Sequence, residues 1–442
     1  MPPPPKGITF AAVGDVMLGT DYPSNILPDD DGVGCLANVG PVLSAADVAF
    51  GNLEGVLMDG GEAVKRCKPP RRNNAAPVSA SGASATSDSG ASSGSSAGAA
   101  REPALALDES AQARGVPADR DAAANDGGAH GLPPAEDAGA GDQRRTDEQT
   151  PAAEPGPTGT SAQGDASTPS ETPPQSSSVQ PPPTAGSCYV FRSPTRYATY
   201  LRDAGFDVMS LANNHAQDFG DAGRDSTMRA LDDVGIRHSG RDGDVAEWMT
   251  TGRRFALVAF APNIGSHQLN DLERAREIVA HLAANHDIVV VSFHGGSEGE
   301  GAATLPFAHE IYQGEDRGDV VEFAHAVVDA GADLVLGSGP HVLRAIELYR
   351  DRLIAYSLGN FATYYGISVS GVRGIAGILT TRLDDDGRFL DARLDSTIQL
   401  RPAGPALDPE RRAVALLREL TTAAFPTGQL MIEDDGRVVA VR

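Results

Sequence analysis

The chain has 442 residues and a formal net charge of −24, with 36 Lys plus Arg against 60 Asp plus Glu. So strong an acidic balance argues against binding nucleic acid or an anionic membrane through bulk charge. No apolar run approaches the ~18–20 residues of a membrane helix, and three cysteines without a CxxC exclude a disulfide-stapled scaffold.

The N-terminus, MPPPPKGITF, lacks the charged region, apolar stretch and cleavage site of a secretory signal. The expectation is a cytoplasmic chain; a start codon further upstream would instead allow an exported or cell-surface protein. In chain order, the predicted strands are Ile8–Leu18, Asp47–Glu54, Phe206–Asn214, Arg254–Ala261, Asp287–His294 and Asp333–Gly339. Several are continuous apolar runs, as central strands covered on both faces require. Helical periodicity separates them at Thr195–Ala204, Gly223–Val234, Leu269–Asn285 and Val320–Ala330, and Gly205, Gly235 and Gly331 stand where helices end. After Pro340 hairpin-like strands turn around Arg350–Arg352 and Asp384–Gly387, and a last helix is predicted over Pro409–Ala424. The alternation of strand and helix predicts an α/β fold.

One tract differs in kind. Residues 69–187 are rich in Ser, Ala, Gly and Pro, and no aromatic occurs between Phe50 and Tyr189. Too little apolar area is available to offset roughly 1–2 kcal/mol of backbone entropy per residue, so the tract is predicted to be a disordered insertion. Its GASSG at Gly90–Gly94 matches GxSxG but follows no strand, so it is not read as a nucleophile elbow. The predicted layout is therefore a discontinuous domain, 7–68 and 188–400, interrupted by 69–187 and extended by a C-terminal helix and strand over 401–442. The two ends of an insertion leave one domain close together, so Cys67 and Cys188 are expected to form a disulfide, which requires an oxidising compartment; Cys35 is expected to stay reduced.

Polar residues gather at the C-terminal ends of the predicted strands, where open α/β sheets bind ligands. These are Asp15, then Asn52 and Glu54, then Asn213, Asn214 and His215, then His294, and last His341 after Gly337-Ser338-Gly339-Pro340. Carboxylates, an amide and imidazoles together suit a divalent transition metal, Zn, Mn or Fe. Arg192, in FRSP, and Arg344 are candidates for gripping an anionic small molecule or polymer, with Asn52 beside them.

The strings GDVMLG, NLEG, SLANNHAQDFG, HGGSE, GSGPHVLRAIE and YSLGNF follow one another in this chain. In that order they resemble the bacterial capsule-synthesis CapA family, which by its name is linked to poly-γ-glutamate capsules and which is similar to calcineurin-like metallophosphoesterases. The resemblance implies a four-layer α-β-β-α sandwich. It also implies Asp15, Glu54, Asn214, His294 and His341 as metal ligands and His215 as the group acting on the leaving atom. The phosphoesterase pattern DxH has Met17 in its third place here, and the family string GHHPH reads GSGPH, with Ser338 and Gly339 in place of two imidazoles. One tightly held ion with a second weak or absent is the expectation. Three functions are compatible: a phosphoesterase-type metal hydrolase, a non-catalytic or polymer-handling capsule assembly protein on the same fold, and an amide hydrolase acting on γ-glutamyl bonds. The oligomeric state is left open. A P-loop is excluded, because no Gly-Lys dipeptide occurs.

Overall fold

The protein is described by a computed structural model over residues 7–65 and 189–441. The tract 69–187 and the pair Cys67 and Cys188 lie outside these residues. The fold is mixed α/β, with two large sheets.

Ile8–Met17 is central to the first sheet. It pairs in parallel with Val48–Leu53 on one side and antiparallel with Ile375–Leu383 on the other. Val208–Ser210 and Arg237–Ser239 extend the parallel half, and Phe389–Leu400 with the hairpin Leu430–Ile432/Arg437–Ala440 extends the antiparallel half. The second sheet runs Ile346–Tyr349, Arg352–Ala355, Leu334–Ser338, Ile288–His294, Arg253–Ala261, Ala246–Thr250, and its four middle strands are parallel.

Alternation along each strand divides its side chains between two apolar layers, because successive residues face opposite ways. Phe10 and Ala12 meet Phe255, Leu257, Val290 and Leu334 in a cluster shared by the two sheets. Ala11 and Val13 join Leu43, Tyr197, Leu201 and Leu231 from helices beside the first sheet. Val258, Phe260, Val289 and Val291 join Val279, Leu282, Phe323 and Val327 from helices beside the second. Full burial of each Val, Leu or Phe contributes about 1.5–3 kcal/mol, which is why the strands read as unbroken apolar runs.

Helix starts follow capping chemistry more closely than periodicity does. The helix Leu272–Asn285 begins three residues later than predicted, after Asp271, whose side chain accepts the Arg274 N–H. Asp319 caps Val320–Asp329 in the same way, accepting from Val321 and Glu322. The last helix, Arg412–Ala424, starts after Arg411, held at φ 53°. The predicted strand Phe206–Asn214 is shorter, Val208–Ser210. Its remaining residues form a loop stabilised by the Asn213 side chain, whose Oδ1 accepts the His215 N–H at 3.0 Å.

Candidate metal centre

The sheet register brings the site together. Asp15 lies opposite Asn52 and Asn360, and Asn52 lies opposite Ser210. In the second sheet His294 lies opposite Ser338. Register shifts flank Asp15 against both its neighbours, which re-aims its side chain relative to a regular strand. Gly14 makes this possible: a Cβ there would sit 1.9 Å from the Gly359 carbonyl oxygen, which instead accepts the Asp15 N–H at 2.9 Å.

Asp15, Glu54 and His294, all buried, each offer a ligand atom, and these atoms lie within 4.8 Å of one another. Asn52 holds the two carboxylates from below, its amide nitrogen donating to Asp15 Oδ1 at 2.8 Å and to Glu54 Oε2 at 2.7 Å. Asn213 in turn donates to Asn52 Oδ1 and to the Leu53 carbonyl. Ser338 orients His294, its Oγ donating to the Phe293 carbonyl and lying 3.2 Å from Nδ1. Three buried atoms of the set have no hydrogen-bond partner: Glu54 Oε1, His294 Nε2 and Asn214 Oδ1. A buried acceptor left unpaired costs about 1–3 kcal/mol.

The electrostatics point the same way. Burial, and then the charge of Asp15, push the Glu54 carboxyl above the usual carboxylate range. Burial, and then the charge of Arg317, hold His294 well below the usual imidazole value, so it is neutral with a free lone pair. Two adjoining carboxylates and a neutral imidazole suit a divalent cation, which would use the unpaired Glu54 and His294 atoms and offset the excess negative charge.

His341 lies at the rim in the left-handed region, φ 59°. Its Nδ1 is 2.9 Å from Asp15 Oδ2 and 3.0 Å from Asn360 Oδ1, and its Nε2 is 3.9 Å from Glu298 Oε2. Burial alone would lower its pKa, but the bond to Asp15 and the charges of Asp15, Glu298 and Glu54 outweigh that and hold it at about 10. His215 stands beside the three-residue group. Its Nε2 is 4.0 Å from Glu54 Oε1, and its Nδ1 is 2.7 Å from Asp218 Oδ2. Phe191 covers the ring at 4.3 Å. Burial lowers the His215 pKa.

Three residues expected to bind substrate do other work. Asn52 is buried, and its amide is spent on Asp15, Glu54 and Asn213, so it positions carboxylates. Arg344 is buried in a bidentate pair with Glu310, both bonds 2.7 Å, and its Nε donates to the Ala302 carbonyl. Arg192 donates to Asp21 and to the Gly61 carbonyl, each at 2.6 Å, with its guanidinium over Tyr22 and Phe219. The Arg344 guanidinium is committed to its pair with Glu310, and two of the three Arg192 nitrogens are already engaged. Asp218 and Lys65 were missed; the only signal for Asp218 was an acid three residues after His215. Cys35 is buried and free, its thiol pushed up to about 12 by burial.

The profile of the bacterial capsule synthesis protein family PGA_cap matches residues 167–365, which include Asn214, His215, His294 and His341. Over these residues the chain is similar to the CapA family. The chain is 32% identical over 181 residues to the capsule biosynthesis protein CapA of Bacillus anthracis, covering 36% of this chain and 41% of that protein. It is 32% identical over 178 residues to the PGA biosynthesis protein CapA of Bacillus subtilis, covering 36% and 43%. The matched part thus spans about two fifths of these CapA relatives. A 5'-nucleotidase precursor from Thermus thermophilus is similar at 16% identity and a TM-score of 0.27, over 53% of this chain and 47% of that one. Among the described residues no helix is long and apolar enough to cross a membrane.

Proposed function

We propose that this CapA-like chain is a metal-dependent hydrolase of the phosphoesterase type, on a four-layer α-β-β-α sandwich, acting in capsule or poly-γ-glutamate biosynthesis. The observation that carries the reading is the buried Asp15–Glu54–His294 group with Glu54 Oε1 and His294 Nε2 unpaired. Asn214, with its unpaired Oδ1, and His341 complete the proposed ligand set for Zn, Mn or Fe. An ion bound there supplies Lewis acidity toward an anionic ester. His215, steadied by Asp218, donates a proton to the leaving oxygen, and Asn52 keeps the two carboxylates in place. The substrate is an anionic small molecule or polymer. The proposed domain is 7–68 with 188–400, extended by 401–442.

A second reading, polymer handling without turnover, is favoured by the three positions, 17, 338 and 339, where imidazoles are missing. Met17 is packed with Phe191 and Ile367. At Gly339, φ 115°, a Cβ would lie 2.6 Å from the Gly295 carbonyl oxygen, so no side chain fits.

Elemental analysis of the purified chain, beside a panel of aryl phosphates and γ-glutamyl peptides, tests the proposal. Bound transition metal with phosphate-ester turnover lost on chelation is the expected result. Metal without turnover selects the polymer-handling reading, cleavage of γ-glutamyl peptides alone selects an amide hydrolase, and a metal-free inactive protein overturns the metal centre.

A further inference from the structure

We infer that Lys65 is a positioning residue for His215, acting through Asp218; the inference rests on the reading of His215 as proton donor. Asp218 is fully buried, and its Oδ2 already receives the Phe191 N–H at 2.8 Å and faces His215 Nδ1 at 2.7 Å. The cation facing its other oxygen is Lys65, with Nζ 3.0 Å from Oδ1. Lys65 Nζ also donates to the Asn214 carbonyl at 3.1 Å and lies 3.4 Å from His215 Nδ1. Its ammonium is therefore held beside the imidazole by the Asn214 carbonyl and the Asp218 carboxylate. The main chain adds to this, because the N–H groups of Val64 and Lys65 both donate to the Asp218 carbonyl.

Without Lys65, Oδ1 becomes a buried anionic oxygen with no counter-charge, which a folded protein relieves by turning the carboxyl or protonating it. Either response breaks the Asp218–His215 bond, which holds one proton on Nδ1 and so puts the second proton, the one given up by the acting imidazolium, on Nε2 toward the centre. Lys65 thus sets the tautomer and aim of His215 without touching the reacting atoms. It is the one lysine among the described residues, in a chain whose other basic groups there are arginines and histidines.

The test uses the full ¹⁵N-labelled chain, prepared without paramagnetic metal, with Lys65→Met and Lys65→Arg. His215→Gln identifies the His215 ring signals by their loss. The wild type is expected to show His215 protonated at Nδ1. Lys65→Met is expected to lose that tautomer, and Lys65→Arg to keep it. On an aryl phosphate, Lys65→Met is expected to lower kcat about 100-fold with KM within about twofold, as misplacement of an acting group does, and Lys65→Arg to recover most of the loss. An unchanged His215 tautomer in Lys65→Met overturns the inference whatever the turnover. A tautomer that shifts in a protein hydrolysing no phosphate ester upholds it and overturns the phosphoesterase reading instead.

Discussion

His341 and Asp15 are 326 positions apart in sequence, yet the imidazole Nδ1 lies 2.9 Å from the carboxylate Oδ2. The carboxylate raises the imidazole's pKa, so an ion taking His341 as a ligand would displace a proton from it. Asp15→Asn and His341→Ala are both expected to lower bound metal, by about 10–100-fold in affinity. His215→Ala is expected to retain metal and lose about 10²–10⁴-fold in turnover. Metal content by elemental analysis and initial rates on one aryl phosphate check both, and unchanged metal in both ligand variants would refute the centre.

Removing one member of the Arg344–Glu310 pair leaves a buried charge alone. Arg344→Met is expected to cost about 3–5 kcal/mol, read from the urea midpoint. A loss under 1 kcal/mol would mean the pair opens to solvent and that Arg344 is available to a ligand after all.

Gly14→Ala places a methyl group against the Gly359 oxygen. The strand must shift to make room, at about 1–3 kcal/mol, and Asp15 shifts with it. Reduced stability together with reduced metal content is expected. Loss of stability with full metal retention would separate the backbone contact from the aim of Asp15.

Asp333 gives a pH dependence remote from the metal. Burial raises its carboxyl from 3.8 to about 6, against the opposing effects of the Val289 N–H and Arg352. A raised folded-state pKa contributes stability that is full below the unfolded value and is lost as pH rises through the folded value. Between about pH 4 and 7 the wild type should therefore lose up to about 3 kcal/mol from this group. Asp333→Asn retains an acceptor for Val289 and should flatten that slope in urea melts at stepped pH. An identical slope in the variant would show that Asp333 ionises normally.

The strands of the fold were legible because both faces of Ile288–His294 and Arg253–Ala261 are covered, leaving an unmistakable apolar run. The edge strands Arg237–Ser239 and Ala246–Thr250 were not, since half of their residues face water and periodicity over three to five residues decides nothing. In the site, Asp15, Glu54 and His294, which the structure brings together, could be singled out because each stands near the end of an apolar strand. Arg192 and Arg344 misled for a physical reason. A guanidinium has five donors, and a sequence does not say whether Asp21 or Glu310 will use them. Lys65 and Asp218 escaped notice because they meet only after 66–188 has been spanned, a distance over which spacing carries no information.

The central place of Ile8–Met17 also bears on how the chain is made. Its antiparallel neighbour, Ile375–Leu383, leaves the ribosome long after it. At about 5–20 residues per second, the first strand waits on the order of tens of seconds with one edge unpaired. An apolar strand with a bare edge is a template for pairing with another chain. The nascent protein should thus depend on a holding factor during synthesis, and the Asp15 carboxylate can enter its final surroundings only once His341 and Ile375–Leu383 have been made.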